Sequence, residues 1–351
     1  MNVSRRPFAG LTVLAVLLAA SVTPAATITS IIDGNWTDPA TWVSGILPTP
    51  SDDVVLFSDV TLDADVSVQS LSVQAGSLAT NGNDLNVAGN FALTGGTFTS
   101  SGFSIVTFNG SGPQTISGSP TFETLVIANT AATPSDTDAV VTSGPVTTTR
   151  ALTLNDGQFM PATGSAFAYV NLNANGILKP ASGATIDLTG ANGFTTLQGT
   201  GSLIANSSLF RLTGSGEQVV SGPMTFHDFE VANTAASPDD ANDAQFSNSI
   251  VVSGQLTITS GQLSFFAQAN DVTVGPAGIL KTGSGAKIAG DLTVNSGGSA
   301  ISRSNEFVSF NGSGPQLISG TVTLEGVGIA NTAPTPDDAN SVSTTGGFTA
   351  N

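Results

Sequence analysis

The sequence of 351 residues contains no cysteine, one histidine and only 9% charged residues. The absence of cysteine excludes disulfides, cysteine nucleophiles and zinc sites built on thiolates. Basic residues are also scarce, because 8 Lys and Arg stand against 25 Asp and Glu, which gives a net charge of −17. Nucleic acids and anionic membranes bind basic surfaces, so we expect neither as a partner. A chain of this composition must take its stability from a large hydrogen-bonded core.

Helical patterns are missing as well, since no apolar stripe of period 3.6 follows the first 26 residues. Most of the acids are Asp, which favours turns and caps over helix interiors. Short runs alternate apolar and polar residues, as in Leu85–Val87 and Phe91–Leu93, and Gly, Asn, Asp, Ser or Pro separates them. The pattern predicts an all-β protein with almost no helix.

The N-terminus has the layout of an export signal. Arg5 and Arg6 precede an apolar run of ten residues at 11–20, and the small residues Ala25 and Ala26 follow. A membrane anchor is the alternative, but a spanning helix needs about 20 apolar residues. We therefore predict a signal peptide at 1–25, a secreted or extracellular cell-surface location, and no membrane span in the mature chain.

Internal repetition is the strongest signal. The phrases FNGSGPQ from Phe108, LTGSGEQ from Leu212 and FNGSGPQ from Phe310 align without gaps, at offsets of 104 and 98 residues. Each continues into an ANT phrase, at Asn129, Asn233 and Asn331. We predict an N-terminal cap segment at 26–70 and repeats of about 100 residues at 71–351, with a truncated last copy.

Very short strands at close, irregular spacing favour a right-handed parallel β-helix, a β-solenoid in which successive turns stack at about 4.8 Å. An array of β-sandwich modules is the alternative, because a module of about 100 residues would suit the repeat length. In a β-helix the three matched segments would lie about 20–25 Å apart along one edge.

Both tryptophans, Trp36 and Trp42, lie in the segment 33–63, which differs from the repeats. A solenoid needs its open end covered, so these rings would serve as a cap. A platform on which carbohydrate stacks is the other interpretation.

The same segment carries a resemblance. Trp36, Trp42, Gly45, Pro48, the Asp52–Val55 run and Leu62–Asp63 are similar to the opening of bacterial secreted and surface β-strand-repeat proteins, and to the start of a G8 domain. The repeated FNGSGPQ and IANT phrases resemble repeats of autotransporter-like and anchored surface proteins. The resemblance implies a β-helix of adhesin type and brings no catalytic residue. Such proteins usually carry a C-terminal anchor; this sequence ends within a repeat, so we expect it to be a fragment of a longer protein.

Signs of catalysis are few. His227 is the single histidine, and the matched positions hold Glu123 and Glu325, which indicates an outward, solvated site. No serine-hydrolase elbow and no metalloprotease motif occurs. We therefore predict no enzyme, no catalytic residue and no organic cofactor. Carboxylates brought together from distant parts of the chain could still cleave polysaccharide.

Acidic loops after each ANT phrase are the remaining candidate site. Hard cations such as Ca²⁺ prefer six to eight oxygen ligands from Asp, Asn and carbonyl groups. Solvated turns capped by Asp are the alternative. The candidate metal ligands are Asp136, Asp138, Asp239, Asp240, Asp243, Asp337 and Asp338.

The sequence thus predicts a secreted or cell-surface structural or adhesive β-helix that presents loops along a rigid rod. Its partner would be a polysaccharide or protein of a cell surface or matrix. A polysaccharide-binding or polysaccharide-cleaving β-helix is the alternative.

Overall fold

A computed structural model describes residues 25–131, 134–190, 195–235, 243–246, 250–265, 268–283, 285–302, 305–332 and 341–350. Within these ranges one 3-10 turn, Pro39–Thr41, is the only helix, and everything else is strand, turn or loop. The all-β prediction is therefore confirmed. No helix in these ranges is both long and apolar enough to cross a membrane. The predicted signal peptide falls almost wholly outside the described residues.

Most strands are short, with two to five residues, and the five longer ones, of 8 to 15 residues, each bend through successive ladders. In the first part they are β1 Thr27–Thr29, β2 Gly34–Asn35, β3 Asp53–Leu56, β4 Val60–Thr61, β5 Val66–Val68, β6 Ser70–Val73, β7 Ser77–Ala79, β8 Leu85–Val87, β9 Phe91–Leu93, β10 Thr97–Thr99, β11 Ile105–Phe108 and β12 Gln114–Ser117. In the middle they are β13 Thr121–Ala128, β14 Val140–Thr142, β15 Thr147–Met160, β16 Ser165–Leu178, β17 Thr185–Leu188, β18 Thr195–Gly199, β19 Ser202–Leu203, β20 Leu209–Leu212, β21 Gln218–Val220, β22 Thr225–Phe226, β23 Asp228–Ala232 and β24 Ala244–Phe246. The last part holds β25 Val251–Phe265, β26 Gln268–Thr282, β27 Ala286–Ile288, β28 Leu292–Val294, β29 Ser299–Ser302, β30 Phe307–Phe310, β31 Gln316–Ser319, β32 Val322–Leu324, β33 Gly326–Ile329, β34 Val342–Thr345 and β35 Phe348–Ala350.

Every strand pair in the described residues is parallel, and partners lie between 16 and 28 residues apart in the chain. The pairs join into ladders. Ladder 1 is β5–β8–β11–β13–β15–β16–β18–β21–β24–β25–β26–β29–β32–β35. Ladder 2 is β1–β3–β6–β9–β12–β14–β15–β16–β19. Ladder 3 is β13–β15–β16–β17–β20–β23–β25–β26–β28–β31–β34. Ladder 4 is β22–β25–β26–β27–β30–β33, and ladder 5 is β2–β4–β7–β10.

The chain visits the ladders in a fixed order. In the middle of the chain it passes from ladder 2 to ladder 3 and then to ladder 1. Ladder 5 takes the place of ladder 3 in the first part of the chain, and ladder 4 takes the place of ladder 2 in the last part. Sandwich modules are built from antiparallel sheets, so the uniformly parallel pairing does not agree with the sandwich alternative.

The core is one column of apolar side chains that the ladders enclose. Alternate residues of most strands are buried, and successive partners stack, as in Val87, Phe108, Ile127, Leu154 and Leu172. Further on, four phenylalanine rings pack edge to face with centroids 4.8–5.1 Å apart; they belong to Phe210, Phe226, Phe229 and Phe246. Burial of this kind contributes about 25 cal/mol for each Å² of apolar surface removed from water.

The three repeat signatures do not lie along one edge, so that prediction was wrong. Gln114 lies in ladder 2, Gln218 in ladder 1 and Gln316 in ladder 3. The offset between copies is not a whole number of passes through the three ladders. Each copy therefore begins on a different ladder.

Both tryptophans of the N-terminal segment are buried, with 3% of Trp36 and 1% of Trp42 exposed. Their rings meet edge to face at 5.0 Å, and Nε1 of Trp42 donates to the carbonyl oxygen of Trp36 at 2.9 Å. Backbone bonds from Val43 to Thr29 and from Ile31 to the carbonyl of residue 41 cover the outer edge of β1. A buried ring cannot stack on sugar, so this geometry favours the cap interpretation.

Candidate functional site

The repeated glycine, glutamine and asparagine positions form internal hydrogen-bond networks. Gln114 is 1% exposed; its Oε1 accepts from Gly110 N at 3.1 Å and from Asn129 Nδ2 at 3.0 Å. Its Nε2 donates to the carbonyl oxygens of Val87 and Gly89, both at 2.9 Å. These residues therefore close a turn inside the protein and do not face a ligand.

The same network recurs in the second copy, where Gln218 Oε1 accepts from Gly214 N at 3.0 Å and from Asn233 Nδ2 at 3.3 Å. In the third copy Gln316 Oε1 accepts from Gly312 N at 3.1 Å. Sequence reasoning missed this role of the glutamine, although the residue stands four positions after the glycine in every copy.

The first acidic loop is engaged by neighbours of the chain itself. Asp136 Oδ1 accepts from Lys179 Nζ at 2.5 Å and from Gln158 Nε2 at 2.8 Å, and these bonds hold the pKa of Asp136 below its ordinary value. Asp138 Oδ2 accepts from the Ser135 hydroxyl at 2.9 Å, which closes a local turn. Both carboxylates thus have partners without a cation.

In the second acidic loop, Asp243 is fully buried, and its carboxylate accepts from the Ser264 hydroxyl and from Gln245 Nε2. The other four candidate ligands, Asp239, Asp240, Asp337 and Asp338, lie outside the described residues. Within the ranges described, no three His, Asp or Glu side chains come close enough together to hold a metal ion. Calcium binding by these loops stays a prediction.

His227 lies at the surface, as the sequence predicted, with 44% of its side chain exposed. Its Nδ1 is 3.2 Å from Oδ1 of Asp228, which itself accepts from Gln255 N at 2.8 Å. Glu123, at the position of the first copy that matches His227, bonds to the backbone instead: its Oε2 accepts from Phe103 N at 2.7 Å.

Phe103 also lines an open groove of about 650 Å³ on the outer face of ladder 1, which is here called the Phe103 groove. Its lining residues come from β11, β13, β15, β16 and β18 and from the loop before β11: Phe103, Ile105, Thr124, Thr149, Arg150, Ala151, Tyr169, Asn171 and Gln198. The groove runs across the strands, since Ile105, Thr124, Ala151 and Tyr169 are successive partners.

A β-bulge shapes one wall of the groove. Two residues, Thr149 and Arg150, separate the paired positions Thr148 and Ala151, whereas a single residue separates their partners on β13 and on β16. Bulges of this kind re-aim side chains and are common next to binding sites. Here the bulge places the Arg150 guanidinium carbon 4.6 Å from the centre of the Phe103 ring.

Phe103 has an unusual backbone for so large a residue. Its φ is +70°, and 70% of the residue is exposed. Asn tolerates this left-handed region, and the matched Asn305 also has a positive φ, of +63°. A bulky side chain there costs about 1–3 kcal/mol and points to a functional constraint. The Glu123 hydrogen bond and the Arg150 cation–π contact hold Phe103 in place.

The opposite wall carries polar and aromatic groups. Tyr169, the single tyrosine of the chain, is half-buried next to Ala151. Gln198 Nε2 donates to Asn171 Oδ1 at 2.8 Å, and the two residues are paired neighbours on β18 and β16. None of the lining side chains is a carboxylate.

The second copy lacks the side chains that line the groove in the first copy. Positions matching Phe103, Arg150 and Tyr169 hold Ser207, Gly254 and Asp271 in the second copy, although that copy has the same bulge, at Ser253 and Gly254. The β-strand framework therefore does not require these side chains. Sequence reasoning missed the groove because its residues are spread from 103 to 198.

Comparisons with known proteins add no relative: no family model, no curated protein and no solved structure matches the chain.

Proposed function

We propose that the protein is a right-handed parallel β-helix, exported to the cell surface, where it serves as a structural or adhesive rod. The observation that carries the proposal is the continuity of ladder 1, which pairs strand to strand from Val66 to Ala350 over one apolar column. Such a stack has the regular, nearest-neighbour organisation of a solenoid. The right-handed sense follows the rule for connections between parallel strands.

Two further features support a scaffold over an enzyme. The repeated motif residues make bonds inside the protein, and the described carboxylates of the first acidic loop pair with Lys179 or with their own turn. The two carboxylates of this loop are therefore engaged separately and do not form the facing pair that a glycosidase uses. The partner would be a polysaccharide or protein of the cell surface or matrix, bound through several weak contacts along the rod.

Small-angle X-ray scattering of the full chain tests the architecture. Stacking of the ladder strands at about 4.8 Å predicts a rod roughly 65 Å long. A rod of this length and a compact sphere of this chain length both have a radius of gyration of about 20 Å, so the pair-distance distribution is the readout. An early maximum with a long tail is expected for the rod, and a symmetric distribution would contradict the β-helix.

Protease treatment of intact producing cells tests the location. Digestion of the protein on whole cells, together with retention of an internal marker, is the expected result. Protein that stays protected until the cells are lysed would overturn the surface assignment.

A further inference from the structure

We infer that the Phe103 groove binds an uncharged polysaccharide chain, with Phe103 and Tyr169 as the ring contacts and Arg150, Asn171 and Gln198 as polar contacts. This inference deepens the proposed adhesive function and rests on it, because it names the class of partner and the face that holds it.

The aromatic residues argue for a saccharide. The C–H face of a sugar ring is apolar and packs against aromatic side chains, as other amphipathic ligands do. Phe103, a residue that is 70% exposed, presents its ring from a backbone conformation that a phenylalanine rarely adopts. The matched Asn305, with a φ of +63°, shows that the same backbone conformation forms without the ring.

The polar residues match the rim of hydroxyls on the same ligand. Asn171 and Gln198 together supply amide donors and acceptors, and their mutual bond fixes the orientation of both amides. Thr149 and Arg150 lie on the other wall, at the bulge. Hydroxyl groups and ether oxygens of a sugar can bond to either wall while its ring lies between them.

The shape of the groove argues for a chain and against a single small molecule. The groove is open along its length and crosses the successive strands that bear Ile105, Thr124, Ala151 and Tyr169. An extended ligand can therefore enter at one end and leave at the other. A closed cavity would instead enclose a small ligand on most sides.

The charge of the protein selects an uncharged polymer. A net charge of −17 repels polyuronates and sulfated glycans over long range. Arg150 is the one charged residue lining the groove, and it is held over the Phe103 ring. The lining offers no carboxylate pair, so binding without cleavage is the expected activity.

Isothermal titration calorimetry of the full chain tests the class of ligand. The probes are cello-, xylo-, manno- and malto-oligosaccharides, with oligogalacturonate as the anionic probe. Binding of at least one neutral series, more tightly than the oligogalacturonate, is the expected result. Binding of oligogalacturonate alone, or of no probe, would overturn the inference.

Nuclear magnetic resonance locates the site. Because the chain has a single tyrosine, protein labelled on the tyrosine ring reports on Tyr169 alone. A bound neutral oligosaccharide should shift these ring signals. Binding that leaves them unchanged would place the ligand elsewhere and contradict the groove.

The substitution Phe103→Asn separates binding from folding. Asparagine is the residue of the matched turn at Asn305, so the melting temperature should stay the same or rise, while affinity for the neutral oligosaccharide falls at least tenfold. Phe307→Ala removes another exposed ring, 62% exposed and outside the groove, and should leave affinity unchanged. Equal losses in both variants would overturn the assignment.

Adhesion assays keep this inference distinct from the proposed function. Beads that carry the wild-type chain should adhere to surfaces coated with the bound polysaccharide, and beads that carry the Phe103→Asn variant should not. Equal adhesion by both would refute the groove and leave the adhesive function standing. No adhesion of wild-type beads to any polysaccharide or matrix-protein surface would refute both.

Discussion

The side-chain amide nitrogen of Asn129 lies 3.0 Å from Oε1 of Gln114, fifteen residues earlier in the chain. The same Oε1 accepts the backbone N–H of Gly110, so two segments of the chain meet at one buried carboxamide. The Nε2 group of Gln114 donates to the carbonyl oxygens of Val87 and Gly89, in the preceding layer of the chain. The Gln114 side chain thus stabilises its own turn and also connects that turn to the neighbouring layer.

Replacement of this glutamine should destabilise the protein. Gln114→Ala leaves several buried polar groups without partners, each at a cost of about 1–3 kcal/mol. We expect the midpoint of urea unfolding, followed by circular dichroism, to fall clearly. Gln74→Ala, at an exposed position, is the matched control and should change stability by less than about 0.5 kcal/mol. Similar midpoints for the two variants would contradict the network's role.

Two glycines of the same phrase should respond differently to alanine. A Cβ at Gly110 would overlap the carbonyl oxygen of Ala88 on the preceding layer, whereas a Cβ at Gly112 meets nothing within 4 Å. Gly110→Ala should therefore destabilise the chain, and Gly112→Ala should be neutral or stabilising by up to about 1 kcal/mol, because it restricts the unfolded chain. Thermal melts of the two variants check this. A larger loss of stability in Gly112→Ala than in Gly110→Ala would contradict the close approach of Gly110 to Ala88.

Acid should weaken the N-terminal segment through Asp52. The Thr49 hydroxyl, then the backbone N–H groups of Thr49 and Ala26, bond to this carboxylate and lower the pKa of Asp52. The stabilisation is complete above the unfolded-state pKa, about 3.9, and is lost as the pH falls through the lower folded-state pKa. Asp52→Asn should therefore be less stable than wild type at pH 7, with the difference shrinking below pH 4. Urea midpoints between pH 7 and pH 2.5 measure it; a constant difference would rule out this linkage.

Calcium should raise the melting temperature if the acidic loops bind it. A ligand that binds only the folded state stabilises that state, so a shift of several degrees is expected in millimolar Ca²⁺. Asp239→Asn combined with Asp240→Asn should reduce the shift, because it removes two candidate ligands of the second loop. Asp156→Asn, outside these loops, is the control and should retain it. An unchanged melting temperature of the wild-type chain in Ca²⁺ would identify the loops as plain turns.

Several features followed from local sequence alone. Alternation in short runs fixes which side chains can face a core, and frequent Gly, Asn and Asp mark the turns between them. The all-β class and the buried alternate residues, such as those of Leu85–Val87, were therefore predictable. Matching phrases around Gly110, Gly214 and Gly312 likewise revealed the repeat, because the same turn needs the same residues.

Other features depended on which strands become neighbours. The sequence suggested that the repeat phrases share one edge, but pairing offsets that vary between 16 and 28 residues move each copy to a different ladder. The partner of Asp136 could not be inferred either, because Lys179 lies 43 residues away.

The sequence by itself determined the β class, the turn residues and the repeat, since each depends on residues close together in the chain. The tertiary structure alone decided the parallel register, the buried Gln114–Asn129 bond and the meeting of Phe103, Arg150 and Tyr169. The physical reason is that these contacts form between strands, so they depend on the length of every intervening loop and on bulges such as the one at Arg150.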